Sequence, residues 1–140
     1  DMLRAGFPFK AVEVRGYCSD VARPAVAIDK SADVICRLSS DGCLVSRSAK
    51  ISPSAQIIPP VFIGQEAVIH DEAVIGPNAS IMARCQIGPG ARLCDCILLP
   101  HCQIGAGCQI EFCYLDDGAQ LPPKTKIPRG SRPTILPPQE

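Results

Sequence analysis

From Val45 onward an aliphatic side chain returns every six positions. The series is Val45, Ile51, Ile57, Ile63, Ile69, Ile75, Ile81, Ile87 and Leu93, then Leu98, Ile104 and Ile110, then Leu115, Leu121 and Ile127. Fourteen of its fifteen members are Ile or Leu. Two steps, Leu93 to Leu98 and Ile110 to Leu115, are five residues long. Four residues after the aliphatic position comes a small or β-branched one: Ala49, Ala55, Val61, Ala67, Ala73, Ala79, Cys85, Ala91, Cys102, Cys108, Ala119 and Thr125. One position earlier stand turn formers, Asn78, Gly90, Gly107 and Gly118, which tolerate positive φ. Gly also follows the aliphatic residue at Gly64, Gly76, Gly88 and Gly105.

A six-residue period fits neither a helix nor a hairpin; it fits a short strand followed by a corner. Three such sides close a triangular coil of about eighteen residues, and stacked coils pair strand on strand at roughly 4.8 Å. The aliphatic column then points inward from every side, and each coil buries its apolar face on its neighbours. The two short steps are three sides apart, so they fall on one face of the prism. They place Cys85 beneath Cys102 and Cys96 beneath Cys113. The expected fold is an all-β solenoid of about five triangular coils over residues 45–131. The period itself leaves its handedness open.

Residues 1–44 lack the period. Val12-Glu13-Val14 alternates like a strand. A helix is expected from about 23 to 38, with Ala27, Val34, Ile35 and Leu38 on one face, and Ser39-Ser40-Asp41-Gly42 ends it. The expected division is a strand-helix junction (1–44), the solenoid (45–131) and a Pro-rich tail (132–140). The stretch from Pro128 onward, with Pro133, Pro137 and Pro138, is expected to terminate the far end of the solenoid as residues 1–44 cap the near one.

Composition agrees with a narrow prism: 46% of the residues are hydrophobic, only 4% are aromatic, and Trp is missing. Fourteen basic residues balance fourteen acidic ones. That balance argues against a nucleic-acid partner and against a polybasic membrane anchor. No apolar run approaches the roughly 20 residues of a membrane helix. Asp1-Met2-Leu3-Arg4 reads neither as a secretory signal nor as a natural start, so the chain is read as part of something longer. Nine cysteines without such a signal point to free thiols and a reducing, cytoplasmic compartment.

The units Ile-Gly-Gln-Glu-Ala-Val (63–68), Ile-Gly-Pro-Asn-Ala-Ser (75–80) and Ile-Gly-Pro-Gly-Ala-Arg (87–92) resemble the hexapeptide-repeat transferase superfamily. That resemblance implies a left-handed parallel β-helix, against the usual right-handed crossover. Ahead of it, Gly16-Tyr17-Cys18-Ser19-Asp20-Val21-Ala22-Arg23-Pro24 is similar to a junction of the sugar-phosphate nucleotidyltransferases, where strand, motif, helix and β-helix follow in that order. The runs Asp95–Pro100, Ile104–Cys108 and Cys113–Pro122 resemble the mannose-1-phosphate guanylyltransferase-like and glucose-1-phosphate adenylyltransferase-like members. The resemblance implies sugar-nucleotide biosynthesis: a nucleoside triphosphate joined to a sugar 1-phosphate, with Mg²⁺ offsetting charge at the α-phosphorus. It implies that Asp20 helps hold that metal, together with a carboxylate from a nucleotide-binding domain. Cys18, Ala22 and Ala25 depart from the motif, which usually has Trp, Gly and an acidic residue there. The Gly-rich triphosphate loop and its α/β domain are not in this sequence. The expectation is therefore a C-terminal domain, inactive by itself, that serves homo-oligomerisation through its β-helix faces, stabilisation and regulation.

Other chemistries compete with this reading. A hexapeptide acyltransferase would use acyl-CoA or acyl-carrier protein and a histidine base, with His70 and His101 as its candidates. Solvated turn histidines explain both residues better, and the period runs without the loop insertion that often shapes such a site. A carbonic anhydrase site needs three histidines, and two are present. Cys94-x-Cys96 has no paired Cys-x-x-Cys, and core packing explains Cys85, Cys102, Cys108, Cys96 and Cys113 better than metal binding. A non-catalytic interaction module is the third class. Phe62, Phe112 and Tyr114 are expected in lateral packing or at the surface, with a subunit contact as the second reading.

Overall fold

A computed structural model describes residue 15 and residues 24–129. The expected strand at Val12–Val14, Asp20 and the tail from 132 onward lie outside the described residues.

The chain winds as a left-handed parallel β-helix of about five turns, with one helix at its N-terminal side. Face A stacks β1 (Cys43–Val45), β4 (Val61–Ile63), β7 (Ala79–Ile81) and the C-terminal halves of β9 (Arg92–Leu98) and β11 (Gln109–Leu115). Face B stacks β2 (Lys50–Ile51), β5 (Val68–Ile69), β8 (Gln86–Ile87), β10 (Gln103–Ile104) and β12 (Gln120–Leu121). Face C stacks β3 (Gln56–Ile57), β6 (Val74–Ile75), the N-terminal halves of β9 and β11, and β13 (Lys126–Ile127). Every pairing is parallel and keeps the aliphatic column in register, as in Ile51↔Ile69↔Ile87↔Ile104↔Leu121.

The register gives the coil length directly. Cys43 pairs with Val61 and Val61 with Ala79, eighteen residues apart; Ala79 pairs with Cys96 and Cys96 with Cys113, seventeen apart. The lost residue comes out of the corner between faces C and A each time. There the strand continues through the bend, so two sides merge into one seven-residue strand in β9 and again in β11.

The inward column is the core. Ile63, Ile75, Ile81, Ile87 and Leu115 are fully buried, and the small column beside it (Ala67, Ala73, Cys85, Ala91, Cys102, Cys108, Ala119) is equally buried. Each such Ile or Leu removes apolar surface worth about 1.5–3 kcal/mol from water. The corners close with the small residue's N–H on the carbonyl three residues back, as in Ala55 to Ser52 at 3.0 Å and Ala119 to Asp116 at 3.1 Å. From coil 2 onward the residue just before the small column is left-handed: Asn78, Gly90, Gly107 and Gly118, and also Glu66, Glu72, Arg84, His101 and Lys124 with φ of 55–63°. The Gly after the aliphatic residue has a different cause: a Cβ on Gly105 would lie 2.4 Å from the Pro123 nitrogen of the next coil.

Helix α1 (Pro24–Leu38) ends as expected. Ser39 N–H bonds to Ile35 O, Gly42 turns at φ 71°, and Asp41 accepts from the Cys43 N–H and the Ser39 hydroxyl. Of the expected face, Ile35 is buried and Ala27 half-buried, but Val34 and Leu38 are not covered. Ile28 and Ile35 are the buried side chains, whereas Val34 is 37% and Leu38 69% exposed. The helix lies along face A, against β1, β4, β7, β9 and β11. That contact selects the stripe through Ile28, Ser31 and Ile35, and leaves Leu38 past the end of the covered surface. Because α1 leads into coil 1, it runs antiparallel to the stacking direction. Its length of about 22 Å spans the roughly 19 Å occupied by five stacked strands.

Candidate functional site

The outward side chains show what each face can do. On face A the outward column is Leu44, Phe62, Ser80, Ile97 and Tyr114. Ile97 and Ser80 are buried and the others half-buried, because α1 covers this face. Phe62 and Tyr114 are therefore in the lateral packing expected of them. Phe112 instead sits in the C–A corner at φ 57°.

Faces B and C carry no such cover among the described residues. The outward column of face B reads Lys50, Val68, Gln86, Gln103, Gln120, and that of face C reads Gln56, Val74, Arg92, Gln109, Lys126. Gln86, Gln103 and Gln120 form an in-register ladder of exposed amides. A shallow groove of about 420 Å³ runs beside them over Gly88 and Gly105, with His70 at one end and Pro122 at the other.

The two histidines sit on opposite borders of face B. His70 is exposed in the corner after β5. His101 is exposed in the corner before β10, and its Nδ1 lies 3.0 Å from Asp117 Oδ1. The structure does not bring them together. The other corner stacks are also polar: Arg84 pairs with Glu66 at 2.9 Å, and the Ser52 and Ser54 hydroxyls turn toward Asp71.

Cys85, Cys96, Cys102, Cys108 and Cys113 are core residues, whereas Cys36 is exposed and Cys43 and Cys94 are half-buried. Cys36, Cys43, Cys85, Cys94, Cys96, Cys102 and Cys108 carry thiols outside any disulfide. Cys85, Cys102 and Cys108 each donate the thiol hydrogen at 3.2 Å to a carbonyl fourteen residues on: Leu99, Asp116 and Pro122. These are corner carbonyls of the next coil, so the thiol adds a coil-to-coil bond that Ala cannot make. Burial pushes the Cys96 thiol well above its ordinary value, with Cys113, Cys94 and Cys85 adding to it. The hydrogen bond with Cys85, then burial, raises Cys102 in the same direction.

No group of three or more His, Cys, Asp or Glu that could hold a metal occurs among the described residues. The Mg²⁺ implied by the resemblance would rest on Asp20, outside them, and on a second domain. No helix among the described residues is long and apolar enough to cross a membrane.

The inward Ile column, the left-handed corners and the 18- and 17-residue coils define a hexapeptide-repeat β-helix protein. Within that class, the GMPPB C-terminal domain family matches residues 57–131, more than half of the chain, and the chain belongs to that family. The resemblance to the C-terminal β-helix part of mannose-1-phosphate guanylyltransferase-like proteins is thereby borne out. No curated protein matches the chain. The acyl-transfer and purely structural alternatives are not favoured by these findings.

The sequence reading missed one polar arrangement, a line of side chains from α1 across the C–A corners to Arg129. Its signal was present: Asn78 and Asp95 occupy successive corners of the same edge. The period alone did not show that the helix passes beside them.

Proposed function

We propose that this chain is the assembly domain of a cytoplasmic sugar-phosphate nucleotidyltransferase. In the whole enzyme a sugar 1-phosphate oxygen attacks the α-phosphorus of a nucleoside triphosphate. The new P–O bond forms as the α–β bridge breaks, and pyrophosphate leaves. Mg²⁺ would offset the negative charge developing on the phosphates. This chain's own work is to hold subunits together and brace the catalytic domain, and control by an effector is assigned to the same domain.

The observation that carries the reading is the family match over residues 57–131, from the last side of coil 1 through coil 5 of the β-helix. Face B is the better subunit contact. Face A is covered by α1, and face C carries Arg92 and Lys126, whereas face B from Val68 to Gln120 is uncharged. Interface cores are depleted in charge in this way. Thiols kept outside disulfides support a reducing compartment.

The test is the gene sequence upstream of Asp1, followed by an assay of the encoded protein for pyrophosphate release from a nucleoside triphosphate and a sugar 1-phosphate. The expected result is an in-frame Gly-rich nucleotide-binding domain and activity that falls when residues 43–129 are deleted. An upstream region without that domain overturns the reading.

A further inference from the structure

A polar line crosses the C–A edge from the helix to the last coil. The Ser31 hydroxyl on α1 lies 2.8 Å from Ile28 O and 3.3 Å from Asn78 Oδ1. Asn78 uses the other end of its amide: Nδ2 donates to Asp95 Oδ1 at 3.1 Å. The second oxygen of Asp95 pairs with the Arg129 guanidinium. Asn78 and Asp95 both stand in the left-handed region, at φ 56° and 47°, and the Asp95 and Cys96 N–H groups bond to Pro77 O and Asn78 O at 3.0 Å. The line thus rests on backbone that its own corners hold rigid. The Asp95 side chain is 18% exposed, which protects its bonds from water.

This line supplies something the apolar contact cannot. The surface beneath α1 presents Leu44, Phe62, Ile97 and Tyr114, and α1 presents Ile28 and Ile35. Such contacts are non-directional, and a helix on a stack of equivalent rungs gains nearly as much when shifted along it. A hydrogen bond at one height removes that freedom. Both ends of the Asn78 amide are committed, so the amide cannot flip to follow a displaced Ser31.

We propose that Asn78 and Asp95 are positioning residues that fix the height of α1 on face A, with Arg129 clamping Asp95 from the last coil. Through this line the C-terminal end of the solenoid is coupled to the helix that follows the Gly16–Pro24 segment. The clamp concerns this chain alone and stands whether or not nucleotidyl transfer does.

The test is residue-resolved amide hydrogen exchange on the full chain and three variants. Asn78→Gly deletes the amide and keeps the left-handed backbone, so the solenoid stays folded. It should speed exchange in α1 about three-fold, the loss of one long hydrogen bond whose proton is shared with Ile28 O, and leave β5, β8 and β10 unchanged. Arg129→Gln, which does not touch α1, should speed α1 exchange in the same direction. The double variant should exceed Asn78→Gly by nothing measurable, because both cut one line. Unchanged α1 exchange in Asn78→Gly overturns the proposal. So does equal acceleration in the solenoid strands, which would make Asn78 a general brace, and so does simple additivity of the two substitutions.

Discussion

Cys113 stands in register above Cys96, seventeen residues later, with both side chains fully buried. That pair marks the place where the coil shortens by one residue without losing phase. The shortening is absorbed in the C–A corner, so the inward column on all three faces stays aligned above and below it. The five-residue step from Leu93 to Leu98 stacks on the six-residue step from Ile75 to Ile81 with both flanking faces in register.

Ile81 lies at the centre of the inward column and is fully buried. Ile81→Asp puts a charge where no partner exists, at a cost comparable to the whole stability of a small domain. The chain should lose its cooperative thermal transition. Ile81→Val removes one methylene and should cost about 1 kcal/mol. Calorimetry of both variants checks the assignment of the column.

Two glycines separate close approach from backbone strain. A Cβ at Gly105 would lie 2.4 Å from the Pro123 nitrogen, whereas one at Gly90 meets nothing within 4 Å but must sit at φ 67°. Gly105→Ala should cost about 3 kcal/mol through overpacking. Gly90→Ala should cost about 1 kcal/mol, the strain of a left-handed alanine. Chemical denaturation should return that order, and equal costs would contradict the tight coil stacking.

The solenoid was legible because its cause is periodic. One inward column at six-residue spacing, a small column beside it and two shortened steps fix the coil count, the stacked cysteine pairs and the burial of Cys85, Cys102 and Cys108. The helix was legible in extent but not in orientation. Val34 and Leu38 are apolar at helical spacing, yet face A covers Ile35 together with Ile28 and leaves those two exposed. Which face α1 covers depends on contacts between distant residues, and no period records them. The Asn78–Asp95 line was hidden for the same reason. Asp20, the metal-site candidate implied by the resemblance, lies in a segment without the repeat and outside the described residues.

Thiol chemistry follows from burial. Cys36 is exposed on α1, while Cys85, Cys96, Cys102, Cys108 and Cys113 are buried, with Cys96 also held protonated by its surroundings. In a Cys18→Ser background, Cys36 should react with a thiol reagent within minutes at neutral pH. The five core cysteines should be modified only on unfolding. Mass mapping of the labelled peptides checks this, and native labelling of Cys102 would contradict the core assignment.

Asp41 links the helix end to pH. The Ser39 hydroxyl and then the Cys43 N–H hold its carboxyl below the ordinary 3.8. A folded value depressed in this way means that the charged form favours the turn. Its contribution is complete above pH 3.8 and is lost as pH falls through the lower folded value. Carboxyl NMR titration should place the Asp41 midpoint below 3.8, and Ser39→Ala should raise it toward 3.8. An unmoved midpoint would remove Ser39 as the cause.

The assembly reading is tested most directly by sedimentation of the full chain, as wild type and as Gln103→Arg. Gln103 is the exposed middle residue of the face B ladder, so the substitution adds a charge at the proposed contact without entering the core. The account predicts an oligomer at micromolar concentration that dissociates in Gln103→Arg while the melting temperature of the monomer fold is retained. A wild-type chain that stays monomeric at the highest soluble concentration, or an oligomer indifferent to charge on face B, would contradict it.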